Sequence, residues 1–173
     1  MGWFEEELRD GLEMKACTQV ISISSQGKAE FIDITDKVKD IVAKSGVRTG
    51  TAVVYLGHSS CGIVVQEKDP ALQRDFWDLY DKLFPKEEGD LHTSDVKRLY
   101  HHPDQDSPLR QSNPDYMYLN AHSHLRAYFL PPSLTFPVID GKMLIGDFQT
   151  LFFVELDETR VRTRRLTVHV VGE

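Results

Sequence analysis

The chain has 173 residues, 40 % hydrophobic and 27 % charged, the balance of an ordinary folded domain rather than a disordered segment. Its net charge of −7 argues against nucleic acid or an anionic membrane as a general partner. The longest apolar runs, such as Leu151-Phe152-Phe153-Val154, fall far short of the roughly 18 residues of a transmembrane helix. One domain over residues 1–173 is expected, long enough to bury a core without disulfide or metal staples. Three successive acids, Glu5 to Glu7, stand where a signal peptide needs a basic start, and Glu6 occupies a position where a myristoylation signal needs Ser or Thr. Cys17 and Cys61 form no CxxC pair, so a reducing cytoplasm is the expected compartment.

Residues 1–14 read as a polar lead-in with weak helical character. Cys17 to Ser24 approaches the polar/apolar alternation of a strand with one buried face. Gln26-Gly27 offers a turn and Ala29 to Ile32 a short return strand. A helix is predicted over Asp36–Lys44, with Thr35 as N-cap, Val38, Ile41 and Val42 as its apolar stripe and Gly46 as its stop. Thr51–Leu56 and Ile63–Val65 read as β. Asp69-Pro70 is a strong helix start, followed by Leu72, Phe76, Leu79 and Leu83 at helical spacing up to Pro85. Residues 85–117 read as a long polar loop, a class that is usually functional or disordered. Asn120–Phe129 reads as a helix stopped by Pro131-Pro132. The tail is β: Leu134–Ile139, a turn at Asp140-Gly141, Met143–Ile145, Leu151–Leu156 and Val161–Val171. Strands at both ends with helices between them favour an α+β fold over a regular βαβ repeat.

Six of the seven histidines, His58, His92, His101, His102, His122 and His124, lie between positions 58 and 124. Imidazole is the commonest protein metal ligand and the usual general base near neutral pH, so the clustering points to a shared metal or catalytic site. His58 is the best single candidate, because it leaves a strongly β segment through Gly57 at a strand end. His122 and His124 would chelate together from a strand. On a helix they lie roughly 200° apart, and the helical reading leaves one of them for a site. His101 and His102 adjoin, so one of that pair points inward. His92 and His169 fit structural or surface roles. Three histidines from separate segments suit zinc or a similar divalent metal with an open position. A Cys61–His58 nucleophilic pair is the weaker reading, since such dyads join distant segments.

Glu67 has no local structural explanation and is a candidate acid or base, whereas capping accounts for Asp69. Arg126 is a candidate phosphate contact, and Arg160, Arg162 and Arg164 alternate so as to share one strand face.

Read in order, several segments resemble the YjbQ family, whose members are often labelled secondary thiamine-phosphate synthases. Phe31-Ile32-Asp33-Ile34-Thr35 with Ser45-Gly46-Val47 is similar to its FxDIT…SGV pattern, and Gly57 to Ile63 to its HTTAGI motif. Gln66-Glu67 stands where the family commonly has Asn-Glu, and Tyr100-His101-His102 is similar to its Y-x-H. Asn120 to Arg126 is similar to N-A-x-x-H-[LI]-[KR]. Gly146-Asp147-Phe148-Gln149 with Glu155 and Arg160-Val161-Arg162 parallels GTWQ…E…R-x-R.

The resemblance implies an α+β β-sandwich assembled as a homotrimer. It carries over His58, His102 and His124 as a metal-associated set and leaves His101 and His122 as extras. The leading hypothesis puts His58 and Glu67 in acid/base roles, and Asn120, Arg126, Gln149 and Arg162, with the rest of the Arg160–Arg165 strand, as contacts to a small phosphorylated substrate. The implied reaction joins a pyrimidine diphosphate to a thiazole phosphate. A non-catalytic binding module and a metal-dependent hydrolase are the alternatives. The chain departs from the family pattern at Asp147-Phe148, in its long 103–119 loop, and at Leu130-Pro131-Pro132-Ser133.

Overall fold

Ten consecutive residue pairs tie the first strand of the chain to its last, and this pairing sets the architecture. The computed structural model describes residues 13–89, 98–102, 106, 108, 112 and 118–173. In it, β1 (Lys15–Ser24) pairs antiparallel with β8 (Thr163–Gly172), from Lys15 opposite Gly172 to Ser24 opposite Thr163. On the other side of β8 runs β3 (Gly50–Leu56), followed by β5 (Ser133–Ile139) and the short β6 (Lys142–Met143). A second sheet has β7 (Thr150–Glu155) at its centre, flanked by β2 (Glu30–Asp33) and β4 (Cys61–Gln66). All the pairings are antiparallel, so the fold is the expected α+β arrangement of antiparallel sheets with few helices.

The turn at Gln26-Gly27 does not make a hairpin. It carries the chain from the first sheet to the second, where β2 pairs with β7 instead of β1. Gly27 has φ +70 and lies against the backbone of Val161, so this crossing needs glycine twice over.

Alternation along the strands builds the core. Leu166, Val168 and Val170 of β8 meet Ala52, Val54 and Leu56 of β3, facing Leu151, Phe153 and Ile63 of the second sheet. β7 is apolar without alternation because both of its faces are covered. Phe152 and Val154 point the other way, into a smaller cluster with Phe31, Val64, Phe76 and Trp77.

Helix α1 (Thr35–Lys44) buries Val38, Ile41 and Val42 as its periodicity dictates, and Gly46 after it has φ +75. Thr35 is not its N-cap. Ile34 holds that position, and the Thr35 hydroxyl accepts from the Leu151 amide at 2.9 Å, joining the helix start to β7. The Asp33 carboxylate takes the Thr35 amide at 3.0 Å.

Helix α2 (Pro70–Leu83) starts as expected, with Asp69 accepting from the Ala71 amide at 2.7 Å and Pro70 in the first turn. Its apolar stripe is less buried than its spacing suggests, because Leu72, Leu79 and Leu83 all remain exposed. Helix α3 (Ala121–Ala127) leads into Pro131-Pro132. The Pro132 carbonyl accepts from Leu56 of β3 at 2.7 Å and the Pro131 carbonyl from Ile63 of β4 at 3.3 Å. The residues that stop α3 therefore also bridge the two sheets.

Leu130 packs directly over Gly62, whose missing side chain makes that approach feasible. We predict that Gly62→Ala, whose Cβ would overlap Leu130, costs about 1–3 kcal/mol. Gly57→Ala, whose Cβ would meet only the Tyr55 ring at 3.5 Å, should be close to neutral. Thermal melts of the two variants check this, and equal losses would contradict it.

Candidate functional site

Three segments carry histidines toward the turn between β3 and β4. The turn itself carries His58, half-buried, with its Nε2 accepting from the Arg165 amide at 3.0 Å. That bond fixes the ring against the start of β8 and leaves the proton of the neutral form on Nδ1. Burial, with Arg164 and Arg162 close by, lowers its pKa below the ordinary histidine range, so His58 is neutral at pH 7.

Helix α3 supplies the second histidine. His122 and His124 divide between the two sides of the helix: His122 is buried, and His124 faces the turn. The Nδ1–H of His124 donates to the Ser59 carbonyl at 2.9 Å, which places the lone pair of the neutral ring on Nε2. The third is His102, whose ring meets that of His124 edge to face, with centroids 4.8 Å apart.

His102 is held by a residue the sequence did not single out. The Glu87 side chain is fully buried, and its Oε1 accepts from the Leu99 amide at 2.7 Å and the Tyr100 amide at 3.1 Å. It also takes the Arg98 Nε at 3.1 Å, while the Tyr100 hydroxyl donates to the Pro85 carbonyl at 2.9 Å. A carboxylate thus folds the 98–100 segment back on the end of α2 and delivers residues 101–102 to α3. Only its buried environment marks Glu87 out among the many acids of that stretch.

Behind the histidines lies an ionic frame. Arg164 makes two bonds of 2.6 Å to the Glu155 carboxylate and a third of 3.1 Å to the Ser60 hydroxyl, all buried. Asp157, also buried, pairs with Arg162 at 2.6 Å and accepts from the Asn120 amide at 3.1 Å. These bonds, with those from Thr159, hold its carboxyl below the usual range despite burial. Ser123 donates to the Leu156 carbonyl at 2.6 Å, so α3 hangs from residues 155–157 at two points.

Several expected ligand contacts are already engaged in this frame. Arg126 is wholly buried, paired with Asp81 at 2.5 Å, bonded to the Phe84 carbonyl at 2.9 Å, and 3.6 Å from Glu158. It is an anchor between α3 and α2, not a cation offered to solvent. Asn120 and Arg162 are both committed to Asp157, and the Arg160 guanidinium lies over the Tyr118 ring at 4.3 Å. Arg160 and Arg162 precede β8 and do not lie on a strand face as their alternation suggests: both lie near the Tyr118 ring, while Arg164, within β8, is buried on Glu155. Arg165 points the other way and is exposed beside the His58 turn.

Glu67 and Gln149 lie elsewhere. Cys61 and Glu155 pair at the histidine end of the second sheet, and Gln66 and Thr150 at its far end. The five intervening steps along β4 put Glu67 and Gln149 roughly 17 Å from that end. Gln149 Oε1 accepts from the Gly146 amide at 2.9 Å, a local turn bond.

Among the described residues no three His, Cys, Asp or Glu side chains stand grouped to hold a metal ion. His102 and His124 are adjacent imidazoles with the right orientation at His124, but His58 has its Nε2 lone pair on the Arg165 amide. Cys61 is buried and its thiol is pushed up to about 12, so it is a packing residue and not a nucleophile at neutral pH. His169 bonds to Thr18 at 2.7 Å, a structural role, and His92 lies outside the described residues.

An antiparallel α+β sandwich with a histidine-bearing turn at one end defines the class. Residues 19–173 match the family described as UPF0047 protein YjbQ-like, and the chain belongs to this family. A UPF0047 protein of Methanothermobacter thermautotrophicus is 32 % identical, with 96 % of this chain and 99 % of that protein covered. Another from Archaeoglobus fulgidus is 31 % identical, covering 86 % of this chain and 96 % of its own. Among solved structures, a YbjQ-like protein from Sulfolobus solfataricus aligns with a TM-score of 0.69 at 32 % identity, over 93 % of this chain and all of the other.

His122 provides the test of this geometry. Both of its ring nitrogens are buried without a hydrogen-bond partner, and burial beside Arg126 and Lys86 pushes its pKa down to about 4. The unfolded chain, with a histidine near 6.5, binds more protons than the folded one between pH 6.5 and 4. Stability from this group is therefore complete above pH 6.5 and falls as the pH drops, by about 2 kcal/mol at pH 5. His122→Leu should be near neutral at pH 7.5 and should gain on the parent as the pH falls to 5. Urea midpoints across that range read the difference; parallel curves for the two proteins would contradict it.

Proposed function

We propose that the chain is a metal-associated YjbQ-type protein that acts on a small phosphorylated compound at the His58–His102–His124 end of the sandwich. The carrying observation is the His124 ring, whose Nδ1–H is bonded to the Ser59 carbonyl while the ring packs on His102. A carbonyl on one imidazole nitrogen is the usual support of a histidine that binds metal through the other. In this reading His102 and His124 are the first donors, and His58 joins them by turning away from the Arg165 amide. The chemistry a divalent cation such as zinc supplies when bound is neutralisation of a phosphate oxygen or activation of water.

The chain's own residues do the rest. While its Nε2 is off the metal, His58, neutral at pH 7, can instead take a proton there, and exposed Arg165 replaces the buried Arg126 as the cation open to phosphate. The substrate pair implied by the family resemblance is a pyrimidine diphosphate and a thiazole phosphate. A homotrimer is part of the same proposal, because a neighbouring copy is what would bring Glu67 and Gln149 to the histidines. The high exposure of Tyr128, Phe129 and Phe148, at 84 %, 67 % and 81 %, supports an interface of that kind.

Elemental analysis of the purified protein should show a divalent metal that is lost in His124→Ala and His102→Ala and reduced in His58→Ala, with the fold intact by circular dichroism. Unchanged metal content in all three would remove the ligand assignment. Incubation with the two thiamine precursors should release diphosphate. Arg165→Ala should raise KM about tenfold by removing one charge-assisted phosphate contact, with Arg165→Lys recovering part of it. Sedimentation should give three chains per particle, and a monomer would remove Glu67 and Gln149 from the site.

A further inference from the structure

The second sheet has an outer face that α2 covers only in part. Phe31 of β2 and Phe152 of β7 form the floor of a groove there, and Leu72, Phe76 and Leu79 of α2 form one wall. Its volume is about 290 Å³, near the lower end of small-ligand pockets. Leu72 and Leu79 remain exposed although they lie on the helix stripe that spacing assigns to a core.

Charge distinguishes this groove from an unfilled part of the core. Positions 72, 75, 76 and 79 lie on one helix face, and a carboxylate, Asp75, interrupts that apolar stripe. Glu67, just past the end of β4, is a second carboxylate in the lining, and among the described residues no Lys, Arg or His lines the groove. Lys68, the adjacent cation, is drawn off by Asp33 at 2.9 Å. Aromatic faces with two carboxylates and no opposing charge favour a cation over an anion or a neutral molecule.

We propose that this groove binds a small amphipathic organic cation, an arylalkyl- or alkylammonium whose apolar body rests on Phe31, Phe76 and Phe152 and whose ammonium meets Glu67 and Asp75. Within one chain the groove lies away from the histidine end, and the proposal does not rest on the function proposed there, although the two readings give Glu67 different roles. It also gives Glu67 a role within a single chain.

Titration of the full chain by methyl NMR with 2-phenylethylammonium, neutral 3-phenylpropan-1-ol and 3-phenylpropanoate tests the assignment. The ammonium should give saturable shifts at the Val64, Leu72 and Leu79 methyls and bind about tenfold tighter than the alcohol, with the carboxylate weakest. Glu67→Gln with Asp75→Asn, both exposed positions, should bring the ammonium to the level of the alcohol without changing the thermal midpoint. Leu79→Arg should abolish binding by putting a cation into the groove. The absence of saturable shifts, including the case in which a second copy covers the groove, would overturn the proposal. So would equal affinity for the three probes, or a double variant that binds the ammonium as the parent does.

Discussion

A carboxylate and a guanidinium buried between two sheets, Glu155 of β7 and Arg164 of β8, hold the sandwich at the end where its histidines gather. Placing two charges in a dry interior is costly, and the Coulomb attraction offsets that cost only when the geometry is good and every remaining valence is used. Here the geometry is good and further polar groups join the pair. The pair is bidentate at 2.6 Å, a third guanidinium bond goes to Ser60, and Glu155 Oε1 also accepts from the Asp157 amide at 3.0 Å. One interaction therefore spans a strand from each sheet, the β3–β4 turn and the connection between β7 and β8.

The histidine end is assembled outward from that pair. Ser60 fixes the turn that carries His58, whose ring is tied in turn to the residue after Arg164. Asp157, two residues past Glu155, receives Arg162 and Asn120, and so places the start of α3. From α3, His124 reaches back to Ser59 and outward to His102, while Arg126 locks the helix onto α2. Glu87 does for the 98–100 segment what Glu155 does for the sheets: it gathers backbone donors around one buried carboxylate. The arginines that look like an exposed anion-binding stripe are thus mostly the cations of an internal frame, and Arg165, on the other side of the strand, is the exposed one beside the His58 turn.

Local patterns in the sequence carry most of the elements. The Asp69-Pro70 cap, the Val38/Ile41/Val42 stripe and the alternation of β8 each depend on neighbours a few residues away, and each appears where periodicity puts it. The division of His122 and His124 between two sides of α3 is of the same kind, since it follows from helical pitch alone. Partner choice is what the sequence does not display. Nothing near Gln26-Gly27 reveals that β1 pairs with β8, about 140 to 160 residues away, and not with the strand that follows it. Nor does the spacing of Arg160, Arg162 and Arg164 reveal whether these side chains turn to solvent or to Tyr118, Asp157 and Glu155. Thr35 misleads in a similar way: its position fits a cap, but a buried hydroxyl within reach of the Leu151 amide finds its partner there. Of the histidines that the resemblance to YjbQ proteins named, His102 and His124 meet ring to ring, while the distance of Glu67 from that end emerges only from the β4–β7 register.

The central claim is that the Glu155–Arg164 pair is one coupled unit on which the histidine end depends. A double-mutant cycle of Glu155→Leu and Arg164→Leu, read by urea unfolding, measures it directly. Each single variant leaves a buried charge without its partner and should lose about 3–5 kcal/mol, while the double variant should recover a large part, giving a coupling of at least about 2 kcal/mol. Losses that simply add, within about 0.5 kcal/mol, would contradict the account.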